Sequence, residues 1–327
     1  MTTFKEIRGT AVQSVSSDPS NPEVGQIWYN NTIGVLKGYT LVAAAWASGG
    51  NMTTARRLIG SSGTQTEGLG FGGQSTVVLN ATEEYNGTSW GPGGNLGTGR
   101  RAIAGTGTQT AGLGFGGYVG GPAPKTTATE EYNGSTWGAG GNLNVSRRES
   151  SGAGTQTAGL GFGGYLAPGV TSTTEEYDGS TWTAGNSMST ARRYMAGIGT
   201  QTAALGVGGS GAPPVVSSSA TEEYDGTSWT AGGSLGSARY GLAGSGIQTA
   251  GIAFGGVTTV ITGATESYDG SSWTTSTSLA TGRVVLGGSP AGTQTSALAF
   301  AGTTGANSAA TEEFTGAFLS TKKITTS

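Results

Sequence analysis

One nine-residue stretch constrains this chain more than anything else in it. TEEYNGTSW, Thr82 to Trp90, recurs at Thr129 to Trp137, Thr174 to Trp182, Thr221 to Trp229 and Thr265 to Trp273, with a degraded copy, TEEFTGAFL, at Thr311 to Leu319. Repetition at this period decides a fold before local propensities are consulted. In each full copy Asn-Gly or Asp-Gly separates Tyr from a Ser/Thr pair and Trp. Both residues of a type I′ turn need positive φ, and this dipeptide supplies it, so each copy is read as a hairpin tip with Tyr ending one strand and Trp opening the next.

A second block precedes each copy. Its most regular form is RRAIAGTGTQTAGLGFGG, Arg100 to Gly117. Gly, Ala and Thr fill its two strand-like runs, which suits a crowded centre where backbones approach closely. Each repeat therefore holds four short strands: a after the arginines, b ending in Phe-Gly-Gly, c carrying Thr-Glu-Glu-Tyr, and d around Trp. Four strands in about 45 residues describe a propeller blade.

The tryptophans at 46, 90, 137, 182, 229 and 273 are spaced 44, 47, 45, 47 and 44 apart. The b–c loops, counted from the double glycine (Ala-Gly in the last copy) to the next Thr, hold 8, 11, 9, 11, 8 and 8 residues and account for that variation. The sixth repeat is longer elsewhere, near Ser289-Pro290. Constant strands with one variable loop describe a scaffold that presents loops, and loops on rigid scaffolds carry binding. There are six a-b-c sets, but the sixth runs into Leu319 where Trp is expected, while Trp46 has no set before it. The expected fold is all-β: a six-bladed propeller over residues 39–327, closed by an N-terminal strand in which Trp46 completes the sixth blade. Residues 1–38 form a short arm and a small hairpin, Gln26 to Lys37, with its turn at Asn31 to Gly34.

Composition narrows the function. Gly is abundant, 64 of 327 residues, but at fixed offsets beside aromatic residues, which marks backbone geometry and not disorder. A net charge of −3 without a lysine run argues against nucleic-acid binding. No apolar run reaches the ~18 residues of a membrane span, and the first residues lack the apolar core of a signal peptide. With no Cys and no His, thiolate chemistry, the usual general base and the commonest metal ligands are absent together, and no cofactor is expected.

The double glycine after strand b, Tyr in c, Trp in d and Arg opening the next repeat resemble the kelch repeat over residues 42 to 319, with Val207 in place of Phe and Phe314 in place of Tyr. The resemblance implies that b–c and d–a loops share a face that binds a partner. The style of GTQTAGLGFGG, with GQIWYNNTIGVLKGY before it, looks like the kelch-like structural proteins of tailed bacteriophages of marine cyanobacteria. That implies a virion protein assembled in the host cytoplasm in several copies, on the tail or a fibre. It would bind a host-surface glycan or a neighbouring virion protein, with the arm docking on other virion proteins. Decoration of the capsid or neck is the alternative, and a glycan-processing enzyme a distant one.

Candidate residues fall into two sets. Arg56, Arg100, Arg147, Arg192, Arg239 and Arg283 share one slot, and Glu83, Glu130, Glu175, Glu222, Glu266 and Glu312 another. Matched charges at fixed register are read as a structural ring of ion pairs. The competing reading has arginines at the channel mouth gripping an anionic sugar or a carboxylate. The second set is the loop face: Tyr118, Pro122, Pro124, Lys125, Tyr165, Leu166, Pro168, Pro213, Pro214 and Val215, apolar and proline-stiffened as preorganised contact requires. The Gln of each Thr-Gln-Thr, on the opposite face, is read as structural. DGSTW at Asp178 approaches the Asp box of sialidases, but glycosidases need two carboxylates in different environments, and the repeated glutamates offer no odd one out. Galactose oxidase, another kelch relative, needs His and a Cys-linked Tyr. No enzymatic activity is expected.

Overall fold

A computed structural model describes residues 12–120, 125–212 and 216–324. These residues contain strands and no helix. The chain forms two compact units, one of residues 45–315 and one drawn from both ends, up to Ala44 and from Gly316 onward.

The larger unit is a series of antiparallel sheets, all-β and propeller-like. In the first repeat Gly60–Gly63 (a), Gly68–Phe71 (b), Thr82–Tyr85 (c) and Trp90–Gly93 (d) pair in chain order. Four-stranded sheets of the same a-b-c-d order begin at Ala104, Ser151, Ala196 and Ala243. In the sixth repeat Ser296–Phe300 and Thr311–Thr315 pair with each other, and the d position is taken by Ala45–Ser48, with Trp46 opposite Phe314. The inner strand of this repeat is broken. Ser289 Oγ accepts the Leu298 N–H at 2.9 Å, and only the bridges Gly287–Phe300 and Thr293–Ser296 remain of the a–b ladder. The extra residues around Ser289-Pro290 thus sit where a regular strand a would run.

Five kinds of contact join each repeat to its neighbour, and four of them run through all six. Each Trp Nε1 donates to the first Thr of strand c in the preceding repeat, from Trp137 to Thr82 (2.9 Å) round to Trp46 to Thr265 (3.2 Å) and Trp90 to Thr311 (2.9 Å). Each Gln of the a–b turn donates to two carbonyls of the preceding repeat, as Gln109 does to Gly68 and Tyr85 and Gln65 to Ala297 and Phe314. The second glycine N–H after strand b donates to the Arg carbonyl of the next repeat, from Gly73 to Arg100 (2.7 Å) round to Gly302 to Arg56 (2.9 Å). Leu58, Ala102, Glu149, Tyr194, Gly241 and Val285 each donate N–H to the carbonyl of the equivalent residue one repeat earlier, and Leu58 donates to Val285 at 3.0 Å, returning the series to its start. All six of these residues have φ between 51° and 66°. Left-handed backbone is costly for Val and Leu, so this cycle of tertiary bonds imposes it.

The fifth kind of contact is Tyr to Glu, and it is missing once. Tyr132, Tyr177, Tyr224, Tyr268 and Tyr85 donate to Glu84, Glu131, Glu176, Glu223 and Glu313 of the preceding repeat. A glycine makes room for the hydroxyl: a Cβ on Gly93 would stand 2.8 Å from Tyr132 Oη. Between the fifth and sixth repeats Phe314 fills the donor position without a hydroxyl, Ser267 fills the acceptor position, and Ser276 the glycine position. All three parts change together at one interface.

Between the sheets each Trp ring packs on the b-strand Phe of the preceding repeat, with centroids 4.7 Å apart for Phe71–Trp137 and 4.9 Å for Trp46–Phe254. In the fourth repeat Val207 stands in the Phe position and Trp273 packs against its cluster.

The smaller unit is a four-stranded sheet. Gln13–Val15 pairs parallel with Ile27–Asn30, which forms the expected hairpin with Val35–Val42, and Phe318–Lys323 pairs antiparallel with Val35–Val42. Asp18 accepts from Trp28 Nε1 (3.0 Å) and Asn30 Nδ2 (2.9 Å) and pairs with Lys37 (2.5 Å). The Lys37 bond foremost, then those from Asn30 and Trp28, lower its pKa to about 2. Two sequence expectations need correction. The boundary at 38/39 falls inside Val35–Val42, and Phe318 and Leu319 do not continue the sixth repeat but leave it at Gly316 to join the sheet of the small unit.

Candidate binding face

Two adjacent slots stand near the end of each d–a connection, and they have opposite surroundings. The first is buried. Arg56, Arg100, Arg147, Arg192, Arg239 and Arg283 are at most 1% exposed and pair with Glu83, Glu130, Glu175, Glu222, Glu266 and Glu312 of their own repeats at 2.5 to 3.2 Å. Arg147 also donates to the carbonyls of Gly163 (3.3 Å) and Thr173 (3.0 Å), so it ties together the two ends of the b–c loop. Burial pulls these guanidinium pKa values down, and the paired glutamates push back. Each of these glutamates also accepts a backbone N–H, as Glu175 does from Asn144 at 2.7 Å. These carboxylates are fully engaged.

The second acids of the c strands are the acceptors of the Tyr bonds. Burial first, then the carboxylate, raises the hydroxyls of Tyr85, Tyr132, Tyr177 and Tyr268 to about 12, and Tyr224 further. The Asp178 turn is hairpin chemistry but not the type I′ turn expected: the loop between the paired Tyr177 and Trp182 has four residues, only its glycine has positive φ, and Asp178 Oδ1 accepts the N–H groups of Ser180 (2.8 Å) and Thr181 (2.7 Å), as Asp225, Asp269, Asn86 and Asn133 do in theirs.

The second slot holds Arg57, Arg101, Arg148, Arg193, Tyr240 and Val284, each bridged to the start of the b–c loop of its repeat. Strand order puts this slot and the b–c loops at one end of the sheets, and the Gln-bearing turns at the other. In the second to fourth repeats the slot and the loop interleave. The Arg101 guanidinium lies 4.5 Å over the Tyr118 ring; Arg148 lies 5.3 Å from Tyr118 and 4.8 Å from Tyr165; Arg193 lies 5.6 Å from Tyr165 and 5.4 Å from Tyr194. Tyr118 and Tyr165 are therefore half-buried under arginines and not exposed as the sequence suggested.

Of the other loop candidates, Lys125 bridges back to Tyr118. Leu166 pairs with Gly169 in a two-residue ribbon whose turn carries the exposed Pro168. Pro122, Pro124, Pro213, Pro214 and Val215 lie outside the described residues. The structure adds Val77, Val216 and Val260, all more than 60% exposed on b–c loops. Two of these sit in the shortest loops, where length variation gave no signal.

Sequence reasoning also missed Glu149, an acid outside the repeated c-strand slot. It occupies the position of Leu58, Ala102, Tyr194, Gly241 and Val285 in the hydrogen-bonded cycle and is 8% exposed. Its carboxylate takes Arg193 Nη1 at 2.7 Å and stands 3.2 Å from Arg148 Nε. Together with burial it raises the pKa of Tyr194 beyond the usual phenol range. These cycle residues line a cavity of about 90 Å³, and the inner strands line another of about 110 Å³.

No protein-family model matches the chain, and a comparison with curated proteins finds no match either.

Proposed function

We propose that the larger unit is a six-bladed, kelch-like propeller closed by the Trp46 strand, and that it works as a non-enzymatic recognition module. What supports the ring is that the Trp, Gln, Gly and cycle hydrogen bonds all pass from the sixth repeat to the first. What supports recognition over catalysis is one observation: each repeated glutamate is held by an arginine, a tyrosine or a backbone N–H, while length variation is concentrated on the b–c loops, which also carry the exposed Val77, Val216 and Val260. On this reading the protein is a structural component of a tailed-phage virion, on the tail or a fibre. It binds a host-surface glycan or a neighbouring virion protein through the loop face, and the small unit docks on the particle.

The test replaces Val119 to Lys125, Leu166 to Val170 and Gly211 to Val216 with the short loop tip of the fifth repeat, keeping Tyr118 and Tyr165. Folding stays intact, because surface loop changes cost little stability, and adsorption of particles carrying the swap falls. Full adsorption by the swapped particles, with loss on substituting Gln109, Gln156 and Gln201 instead, would place recognition on the other face.

A further inference from the structure

We infer that Arg101, Arg148 and Arg193, interleaved with Tyr118 and Tyr165, the last two arginines also pairing with Glu149, form a binding site for a carboxylated saccharide. The inference rests on the loop face being the recognition face and names the ligand chemistry there.

Charge is the first support. Arg148 and Arg193 share one carboxylate and Arg101 makes no ion pair among the described residues, a local balance of 3 − 1 = +2 on a chain whose net charge is −3. Both ion pairs that these arginines make among the described residues are with Glu149. The Arg148 pair is loose, 3.2 Å at Nε without the alignment of a hydrogen bond, and a quarter of the Arg148 side chain is exposed. Nothing in the scaffold requires this charge. The fifth and sixth repeats fill the same slot with Tyr240 and Val284 and keep the same backbone bridges.

Preorganisation is the second support. Stacking on Tyr118 and Tyr165 fixes the planes of three long side chains before any ligand arrives, so little rotamer entropy is lost on binding. A planar guanidinium fork matches a carboxylate with two parallel hydrogen bonds.

The chemistry left unspent selects a saccharide over a peptide. Arg101 and Tyr118 exchange both backbone hydrogen bonds (3.0 and 2.8 Å), as do Arg148 and Tyr165 (3.3 and 2.8 Å) and Arg193 and Ser210 (3.0 and 2.9 Å). No strand edge is open there for an extended peptide to join. Arg101 Nη1 donates to Gln74 Oε1 and Tyr165 Oη donates to the Pro168 carbonyl at 3.4 Å; the remaining guanidinium N–H groups and the Tyr118 O–H suit a ligand rich in acceptor oxygens. The ring faces of Tyr118 and Tyr165 are covered by arginines, which leaves little for an apolar ligand.

The experiment titrates the full chain with tetragalacturonic acid, its methyl ester and a tetraglutamate peptide. The acid binds, the ester and the peptide bind at least ~10-fold more weakly, and affinity for the acid falls with added salt. R148M weakens the acid ~10-fold. E149Q strengthens it severalfold by freeing Arg148 and Arg193, an effect that a merely structural Glu149 would not produce. Equal binding of the ester, preference for the peptide, no binding of the acid, an R148M value matching the parent, or weaker binding by E149Q in a chain that still unfolds cooperatively would each overturn the assignment. If any of these occurs while the loop-swapped particles still lose adsorption, the ligand class is wrong and the recognition face stands.

Discussion

Arg147 and Arg148 are consecutive in the chain and belong to different regions of the molecule. Arg147 lies in the layer between strands, fully buried, with Glu175 and two carbonyls as partners. Arg148 lies on the loop face between two tyrosine rings, with one loose ion pair. The layer holds Arg at this position in all six repeats, whereas the next position holds Arg, Tyr or Val. The difference teaches that constancy follows from a partner that recurs in every repeat, as the c-strand glutamate does, and not from a partner particular to one repeat, as Glu149 is to Arg193. Where the partner is solvent or a ligand, the residue is free to change.

The comparison is broken most severely at the junction of first and last repeats. Deleting residues 1–47 removes the Ala45–Ser48 strand with its Trp46 bond to Thr265 and exposes strand c of the sixth repeat as an edge. The expected product is a poorly soluble chain, while the milder Trp46→Ala costs ~3 kcal/mol in urea unfolding as a large-to-small change at an interface. A deletion that unfolds with the parent's midpoint would show that the sheets of the larger unit do not depend on this strand.

High pH tests the layer alone. The fold raises the pKa of Tyr85, Tyr132, Tyr177 and Tyr268 to about 12. A raised phenol stabilises the fold fully below its unfolded value of about 10 and loses that contribution as pH rises toward 12. The melting temperature should therefore drop between pH 10 and 12, and phenolate absorbance should show a late-titrating group. Phenols that all ionise near 10 in the folded chain would contradict the Tyr–Glu bonds.

The smallest effect sharpens the rule about partners. Phe314→Tyr alone puts a hydroxyl against Ser276 and opposite Ser267, and costs ~1 kcal/mol. Adding Ser267→Glu and Ser276→Gly rebuilds the arrangement of the other five interfaces and recovers at least that amount. Thermal unfolding of the four single and combined variants measures the coupling, and strict additivity would mean the three changes are unrelated.

Much of the layer was legible because its parts recur: the hairpin tips, the paired Arg and Glu slots and the Trp46 strand all stand at fixed offsets. What recurs once cannot be seen that way. Phe314 in place of Tyr carries no local sign of its cause, because its meaning lies in Ser267 and Ser276, residues of another repeat. Leu319 occupies the register of a Trp, and nothing local says that the chain leaves at Gly316 to pair with Val35–Val42. Glu149 stands in no repeated acid slot, and only the cycle of left-handed residues and the fold bring its carboxylate to Arg148 and Arg193. The arginine–tyrosine stack was hidden because its members come from three repeats.

The most direct test of the division between layer and face compares Arg147→Met with Arg148→Met by thermal unfolding. Arg147→Met strands Glu175 and two carbonyls in a buried site, a loss of ~3–5 kcal/mol that lowers the melting temperature by more than about 6 °C. Arg148→Met keeps its apolar stem against Tyr118 and Tyr165 and shifts the melting temperature by less than about 2 °C. Equal losses in the two variants, or a larger loss for Arg148→Met, would contradict the account.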